Sequence, residues 1–310
     1  MLDTSGLPAH IQPMPLPDKP WPTGRAERLE PLVARLLAPN PSPFTYTGTQ
    51  TYLVGGHDGL AVIDPGPDDP AHLAALEEAM GDAPVLAIAC THTHRDHSPA
   101  AAPLAARTGA PIIGCAPLTL ADADEGSLRA DAPFDTTYAP DRVLTDGESI
   151  AGPGWTLTAL ATPGHTSNHL CYALEDETAS TGVLFSGDHV MGWSTTVVAP
   201  PDGDMADYMA SLAKLRARDD RVFYPAHGPA IERPHKLLRG MMGHRLQRER
   251  QILRLLGERP APVAELVPAM YRAVDKVLWP AAGQSVLAHL IDLERRGRVA
   301  RSGKVWTITG

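Results

Sequence analysis

His92, His94, Asp96 and His97 stand together in the run Thr91-His92-Thr93-His94-Arg95-Asp96-His97. Further donors follow: His165 after a glycine, Asp188 in Ser186-Gly187-Asp188, and His227 in Pro225-Ala226-His227-Gly228. Zinc accepts this mixture of neutral imidazole and carboxylate, and three protein ligands around one ion leave a position for water. His92 and His94, two residues apart, can face one point from an extended or tightly turned backbone, while Asp96 and His97 turn toward a second. His165 is the natural third imidazole for the first ion and His227 for the second. Asp188 is placed to bridge both through its two oxygens. Such a set exceeds what one ion can use, so two ions are expected, zinc first, with iron or manganese compatible with the same donors. A single zinc brings bound water to a pKa of about 7, so a water shared by two cations ionises near neutrality and the expected nucleophile is a metal-bridging hydroxide.

Other residues carry weaker signals. The chain has 13 histidines, and an isolated one is more often a surface or hydrogen-bonded core residue than a ligand. His189, His235, His244 and His289 are read that way. Asp64, in the turn Asp64-Pro65-Gly66, is either part of the site or a turn aspartate bonded to its own backbone. His169, four residues after His165, is a candidate to bind an anionic group of the substrate or assist proton transfer, or else a hydrogen-bonding support for a ligand. The candidate catalytic side chains are Asp96, Asp188 and His169. The three cysteines, Cys90, Cys115 and Cys171, are isolated from one another and argue against a disulfide framework; Cys90 reads as a small buried residue at a strand end.

The elements that must position these donors follow one grammar. Pro84 to Cys90 is an apolar run ending at the histidine cluster, after which Ser98-Pro99 opens an Ala-rich helix. Trp155 to Leu160 alternates and ends before His165, Val183 to Phe185 runs into Asp188, and Arg221 to Tyr224 runs into His227. Each donor group thus follows the carboxyl end of a predicted strand. Asp69-Pro70 starts a helix with Leu73, Leu76 and Met80 on one face and Gly81 as its stop; Tyr208, Leu212 and Leu215 mark another. Strands interleaved with helices suggest two sheets with helices outside.

The pattern His-x-His-x-Asp-His with a later His, Asp and His resembles the signature of the metallo-β-lactamase superfamily. The resemblance implies an αββα sandwich, of the α/β class, with two metals at the edge of the sheets, and it covers roughly residues 40 to 235. Aspartates at 96 and 188 are similar to the glyoxalase II and nuclease branches and disfavour an antibiotic-degrading lactamase. The segments from Ser186 to Val197, Asp207-Tyr208-Met209 and Tyr224 to Pro229 look like the lactamase β-like 2 branch. The known animal member of that branch is an endoribonuclease on single strands. What this implies is a binuclear zinc-dependent hydrolase acting on single-stranded RNA. A glyoxalase II-like thioester or lactone hydrolase is the alternative, and an iron oxidoreductase of the same fold or a DNA-binding regulator stands behind both.

At 310 residues the chain has room for a catalytic domain and an appendage. A Pro-rich N-terminal arm is expected over 1–39, the catalytic domain over 40–240, and a separate module over 241–310. Residues 122–141 are acidic and read as a long excursion of the kind that borders active sites. Residues 1–232 hold 12 Lys and Arg against 30 Asp and Glu, a balance of −18, whereas residues 233–310 hold 15 against 6, a balance of +9. Within the tail, Arg245 to Leu256, Val263 to Ala273 and Ser285 to Arg295 read as helices, and Arg298 to Ala300 with Val305 to Ile308 as a hairpin around Ser302-Gly303. Three helices and a hairpin make a winged-helix-like module, and its charge suits either nucleic acid or a solvated lid or dimer surface. Expected partners are a small anionic substrate or single-stranded RNA, with a homo-oligomer compatible and no membrane. Without a secretory signal or an apolar span, a cytoplasmic protein is expected.

Overall fold

The computed structural model describes residues 14–18, 21–118, 134–176 and 182–309. Short aliphatic runs build a first sheet of seven strands in sequence order: β1 (Glu27–Glu30), β2 (Val33–Leu37), β3 (Gln50–Gly56), β4 (Gly59–Ile63), β5 (Val85–Cys90), β6 (Ile112–Gly114) and β7 (Arg142–Val143). The first four pair antiparallel, and β4 through β7 pair parallel. Parallel neighbours need crossovers. Two of these are helical, through α1 (Pro70–Met80) and α2 (Ala101–Thr108). Asp69 caps α1 by accepting the His72 amide, and Gly81 ends it, as its turn residues predict.

The second sheet runs in the order β12-β11-β10-β9-β8, made of β8 (Ser149–Gly152), β9 (Trp155–Ala161), β10 (Leu170–Asp176), β11 (Val183–Gly187) and β12 (Val222–Pro225). The helix α3 (Met205–Arg216) carries the parallel crossover from β11 to β12. Trp155, Leu157 and Ala159 bury the inner face of β9 and join Tyr172, Phe185 and Tyr224 in a core shared with Leu36, Tyr52, Ile63 and Ile88 of the first sheet. On the outer face Leu160, Cys171, Leu184 and Phe223 pack on Tyr208 and Leu212 of α3 and on Leu238 and Met241 of α4 (Pro234–Glu258). The result is the predicted helix–sheet–sheet–helix stack.

Beyond α4 come β13 (Ala261–Pro262), α5 (Val263–Met270), a 3-10 turn (Lys276–Leu278), α6 (Trp279–Arg295), β14 (Val299–Ser302) and β15 (Val305–Ile308). Their three-stranded sheet, ordered β13-β15-β14, closes on a core of Ile252, Leu256, Leu266, Leu290, Leu293 and Trp306. This is the helix-and-hairpin module expected of the tail. Its middle helix stops at Met270, short of the predicted Ala273, and its last helix begins at Trp279, ahead of the predicted Ser285.

Three expectations are corrected. Residues 27–37 are not an arm: β1 and β2 extend the first sheet, because Val33, Leu36 and Leu37 bury their side chains in it. The boundary drawn at 240/241 falls inside α4, a continuous helix of 25 residues whose first half packs on the second sheet and whose second half packs in the tail. Ser98 does not cap its helix, which starts at Ala101; its hydroxyl donates to Asp135 Oδ2 instead. Of the Pro-rich segment 8–22, residues 8–13, 19 and 20 lie outside the described residues, while the Met14 amide donates to Trp193 O and Tyr46 Oη to Pro15 O. Of the acidic excursion, 122–133 lie outside the described residues; the returning end sets Phe134 in a β-bridge with His94.

Candidate metal centre

The carboxyl ends of β5 in the first sheet and of β9, β11 and β12 in the second deliver the donors to one place. His92, His94, His165 and Asp188 offer ligand atoms that all lie within 4.8 Å of one another, and Asp96, His97 and His227 do the same. In the first set His94 Nδ1 lies 2.9 Å from His92 Nε2 and 3.2 Å from His165 Nε2. In the second, Asp96 Oδ2 lies 3.4 Å from His97 Nε2 and 3.2 Å from His227 Nε2. Asp188 reaches both sets, with Oδ2 3.7 Å from His165 Nε2 and Oδ1 3.2 Å from His227 Nε2. Around a tetrahedral ion with bonds of about 2.0–2.1 Å, ligand atoms stand about 3.3 Å apart. All seven predicted residues are thus brought together at the spacing that metal ligands adopt.

Two of the donor atoms lack a hydrogen-bond partner: His97 Nε2 and Asp188 Oδ1 are buried without one, which is costly unless something else meets them. Burial disfavours charge on Asp96 and Asp188, yet the facing His97 and His227 hold both carboxyls well below their ordinary range. His92 and His94 go the other way: burial first, then neighbouring imidazoles, push them down, His94 to about 3. His97 and His227 behave oppositely: against burial, the facing Asp96 and Asp188 hold His97 above its ordinary range and His227 up at about 10, so the second set takes up a cation in exchange for protons, and the two sets together fit a pair of divalent cations.

Behind the donors lies a shell of orienting groups. Thr91 Oγ1 donates to Asp64 Oδ2 at 2.8 Å and so accepts from His92 Nδ1 at 3.0 Å. His97 Nδ1 donates to Asp64 Oδ2 at 3.0 Å, His165 Nδ1 to Val197 O at 2.8 Å, and His227 Nδ1 to Gly48 O at 3.2 Å. Each bond places the proton on the outer nitrogen and frees Nε2 for the centre. Asp64 is therefore neither a free ligand nor a simple turn residue. It is buried, accepts the Thr91 amide at 2.7 Å, and adopts φ +48°, a left-handed conformation unusual for a side chain other than glycine. Its place in a Pro-Gly turn at the end of a strand was the only sequence signal; Thr91, Val197 and Gly48 gave none, since two of them act through backbone carbonyls.

His169 is enclosed and bonded on both ring nitrogens. It is 1% exposed, its Nδ1 pairs with Thr162 Oγ1 at 2.9 Å, and its Nε2 accepts the Asp188 amide at 3.2 Å. Burial holds its pKa well below the ordinary value, so it is neutral and engaged on both sides. The substrate-binding and proton-transfer expectation is corrected accordingly: His169 supports the backbone that carries Asp188. Gly187 makes room for it, because at φ +50° a Cβ there would sit 2.6 Å from His169 Nε2. At the mouth of the first donor set Phe134 packs its ring 4.8 Å from that of His94. His189, His244 and His289 are buried apart from the donor sets, and His235 lies 4.0 Å from Asp219.

The tail reaches this centre from behind. Arg245 of α4 donates to Thr196 O, and Thr196 Oγ1 donates to the carbonyls of Asp188 at 2.8 Å and His189 at 3.0 Å. Two residues on, the Val198 amide meets Ser285 Oγ of α6 at 3.4 Å. The segment that holds His165 through Val197 O is therefore pinned from the winged-helix-like module.

Comparison with known proteins agrees with this geometry. Residues 45–227 match the Metallo-beta-lactamase superfamily and residues 263–306 the Beta-lactamase associated winged helix domain. A Drosophila melanogaster protein named Beta-lactamase-like protein 2 homolog is 32% identical over 278 residues, 88% of this chain and 91% of its own. An atrochrysone carboxyl ACP thioesterase from Cryptosporiopsis sp. (strain 8999) is 30% identical over 236 residues, 74% of this chain and 64% of its own. A beta-lactamase domain protein from Burkholderia ambifaria has the same fold, with a TM-score of 0.74 at 23% identity, over 96% of this chain and 97% of its own.

Proposed function

Since the chain belongs to the metallo-beta-lactamase superfamily and carries the associated winged-helix domain, we propose that this metal-dependent hydrolase binds two zinc ions and cleaves thioesters. The observation that carries the two-metal reading is Asp188, whose oxygens face separate donor sets while one of them has no hydrogen-bond partner. When bound, a pair of divalent cations activates a water near neutral pH and stabilises charge on the scissile carbonyl. The chain's own part is to fix that chemistry in space. Asp188 sets the distance between the sets, Asp64 and Thr91 lock the tautomers of His97 and His92, and Phe134 narrows access beside His94.

Charge separates the substrate classes. Residues 1–232 carry −18, a field that opposes a polyanionic RNA strand more than an acyl thioester, which carries few phosphates. Part of the tail's opposite charge is already paired: Arg295 with Asp204 of the catalytic part, Arg296 with Glu249 and Arg259 with Glu265. The thioesterase name of a relative supports the same choice. The second reading, hydrolysis of single-stranded RNA, rests on Arg250, Arg254 and Arg272, which enter no ion pair or hydrogen bond among the described residues. A parallel assay on an acyl thioester, a lactone and single-stranded RNA decides between them. Thioester turnover that a chelator abolishes and zinc restores is the expected result, and RNA cleavage without thioester turnover reverses the order. Metal analysis of protein purified without added metal tests zinc against iron.

A further inference from the structure

A cleft of about 500 Å³ lies between α4 and the turn after α5. Arg248, Arg250 and Arg254 line it from the helix, Tyr271 and Arg272 from the turn, and no carboxylate contributes to its wall. Arg248 is 5% exposed, and every group it meets is neutral: Gln251 Oε1 at 2.8 Å, Met270 O at 3.1 Å, His244 Nε2 at 3.1 Å and the face of Tyr271 at 4.4 Å. Three other arginines of the tail do pair with acids, Arg259 with Glu265, Arg295 with Asp204 and Arg296 with Glu249. Here a buried guanidinium without a counter-charge stands beside three further arginines that are exposed and unpaired among the described residues. Arg250 and Arg254, four apart on one helix, repel each other, and burial of an unbalanced charge adds to the cost. A sequence that gathers four like charges around a concave surface, with no acid among them, leaves an anion as the missing component.

We propose that this cleft binds a ligand carrying neighbouring phosphate groups. Guanidinium forks match phosphate oxygens in pairs, and the volume falls in the range of small-molecule sites, about 300–1,000 Å³. The phosphates come either from a small diphosphate-bearing molecule or from consecutive linkages of an RNA strand. The site stands whichever bond the metal centre hydrolyses.

Full-length, metal-loaded protein titrated with inorganic tripolyphosphate and with a single-stranded RNA oligonucleotide tests this, beside Arg254→Gln and Arg272→Gln. Both positions are exposed and lie outside the catalytic machinery, and the comparison between variants cancels any binding at the metals. Each substitution weakens tripolyphosphate binding by about tenfold or more, the effect of losing a charged hydrogen bond, with thioester turnover unchanged. If RNA binding weakens in parallel, and the slope of log affinity on log salt falls by about one per arginine removed, the ligand is a strand. If RNA is indifferent while tripolyphosphate is lost, it is a small phosphate compound. Equal tripolyphosphate affinity in the wild type and both variants, or no binding at all, overturns the site. RNA that is never cleaved, with tripolyphosphate binding still dependent on these arginines, removes only the nuclease reading.

Discussion

Asp188 turns one oxygen toward each donor set, Oδ2 3.7 Å from His165 Nε2 and Oδ1 3.2 Å from His227 Nε2, and in the two-metal proposal it is the residue that both ions share. Asp188→Ala is expected to lower bound metal from two ions per chain to one or fewer and to reduce turnover by more than about 100-fold, beyond the usual range for an outer support. Metal quantification beside a thioester assay checks this; two retained ions would remove Asp188 from the centre. Asp64 acts one step out, through His97 Nδ1 and Thr91. Asp64→Ala should cost about 10- to 100-fold in metal affinity, read by competition with a chromophoric chelator. His169 tests the same logic through backbone. His169→Ala leaves the buried Asp188 amide unpaired, so metal affinity and kcat should fall by about tenfold while KM holds. A rise in KM alone, with metals retained, would return His169 to the substrate.

The element that decides how well the centre is held is the segment after β11. Its carbonyls are spoken for in sequence: Asp188 O and His189 O by Thr196 Oγ1, Thr196 O by Arg245, Val197 O by His165. Arg245 comes from α4, and Ser285, at the Val198 amide, from α6. The winged-helix module is thus a brace for ligand geometry. Arg245→Met keeps the buried stem, removes the bond, and is expected to lower kcat by about tenfold without touching the donors. The double variant with Thr196→Val should lose less than the product of the two single losses, because both cut one chain of contacts. Independent effects would show that the brace is no more than packing.

Across the whole molecule, the two halves of opposite charge are joined by packing as well as by electrostatics. Leu238, Met241 and Ala288 belong to the core on the outer face of the second sheet, and Arg295 reaches Asp204 at the start of α3. Cutting the chain within α4 would therefore strip one apolar face from the catalytic part and one from the tail. Calorimetry of the intact protein is expected to show one cooperative transition, and a chain ended at residue 244 should express in aggregated form or melt far earlier. Two well-separated transitions in the intact protein would mean that the halves are independent units. Among the described residues no helix is long and apolar enough to cross a membrane.

The donor set was legible from the chain because metal chemistry restricts residue type and close spacing restricts geometry: a cluster such as His92 to His97 has few other uses. That the donor-bearing strands end at one place was legible for a related reason, whereas their distribution over two sheets, β5 in the first and β9, β11 and β12 in the second, was not. Three further features were decided only by the tertiary structure. The boundaries at 39 and 240 failed because strand pairing of Val33–Leu37 and the continuity of α4 are settled by partners far along the chain. Between the two readings left open for His169 the choice rested on exposure, which periodicity cannot report for a single residue, and its burial and bonds favour the supporting one. The orienting shell stayed hidden because Val197 and Gly48 act through carbonyl oxygens, which every residue possesses; only the folded backbone determines where they point.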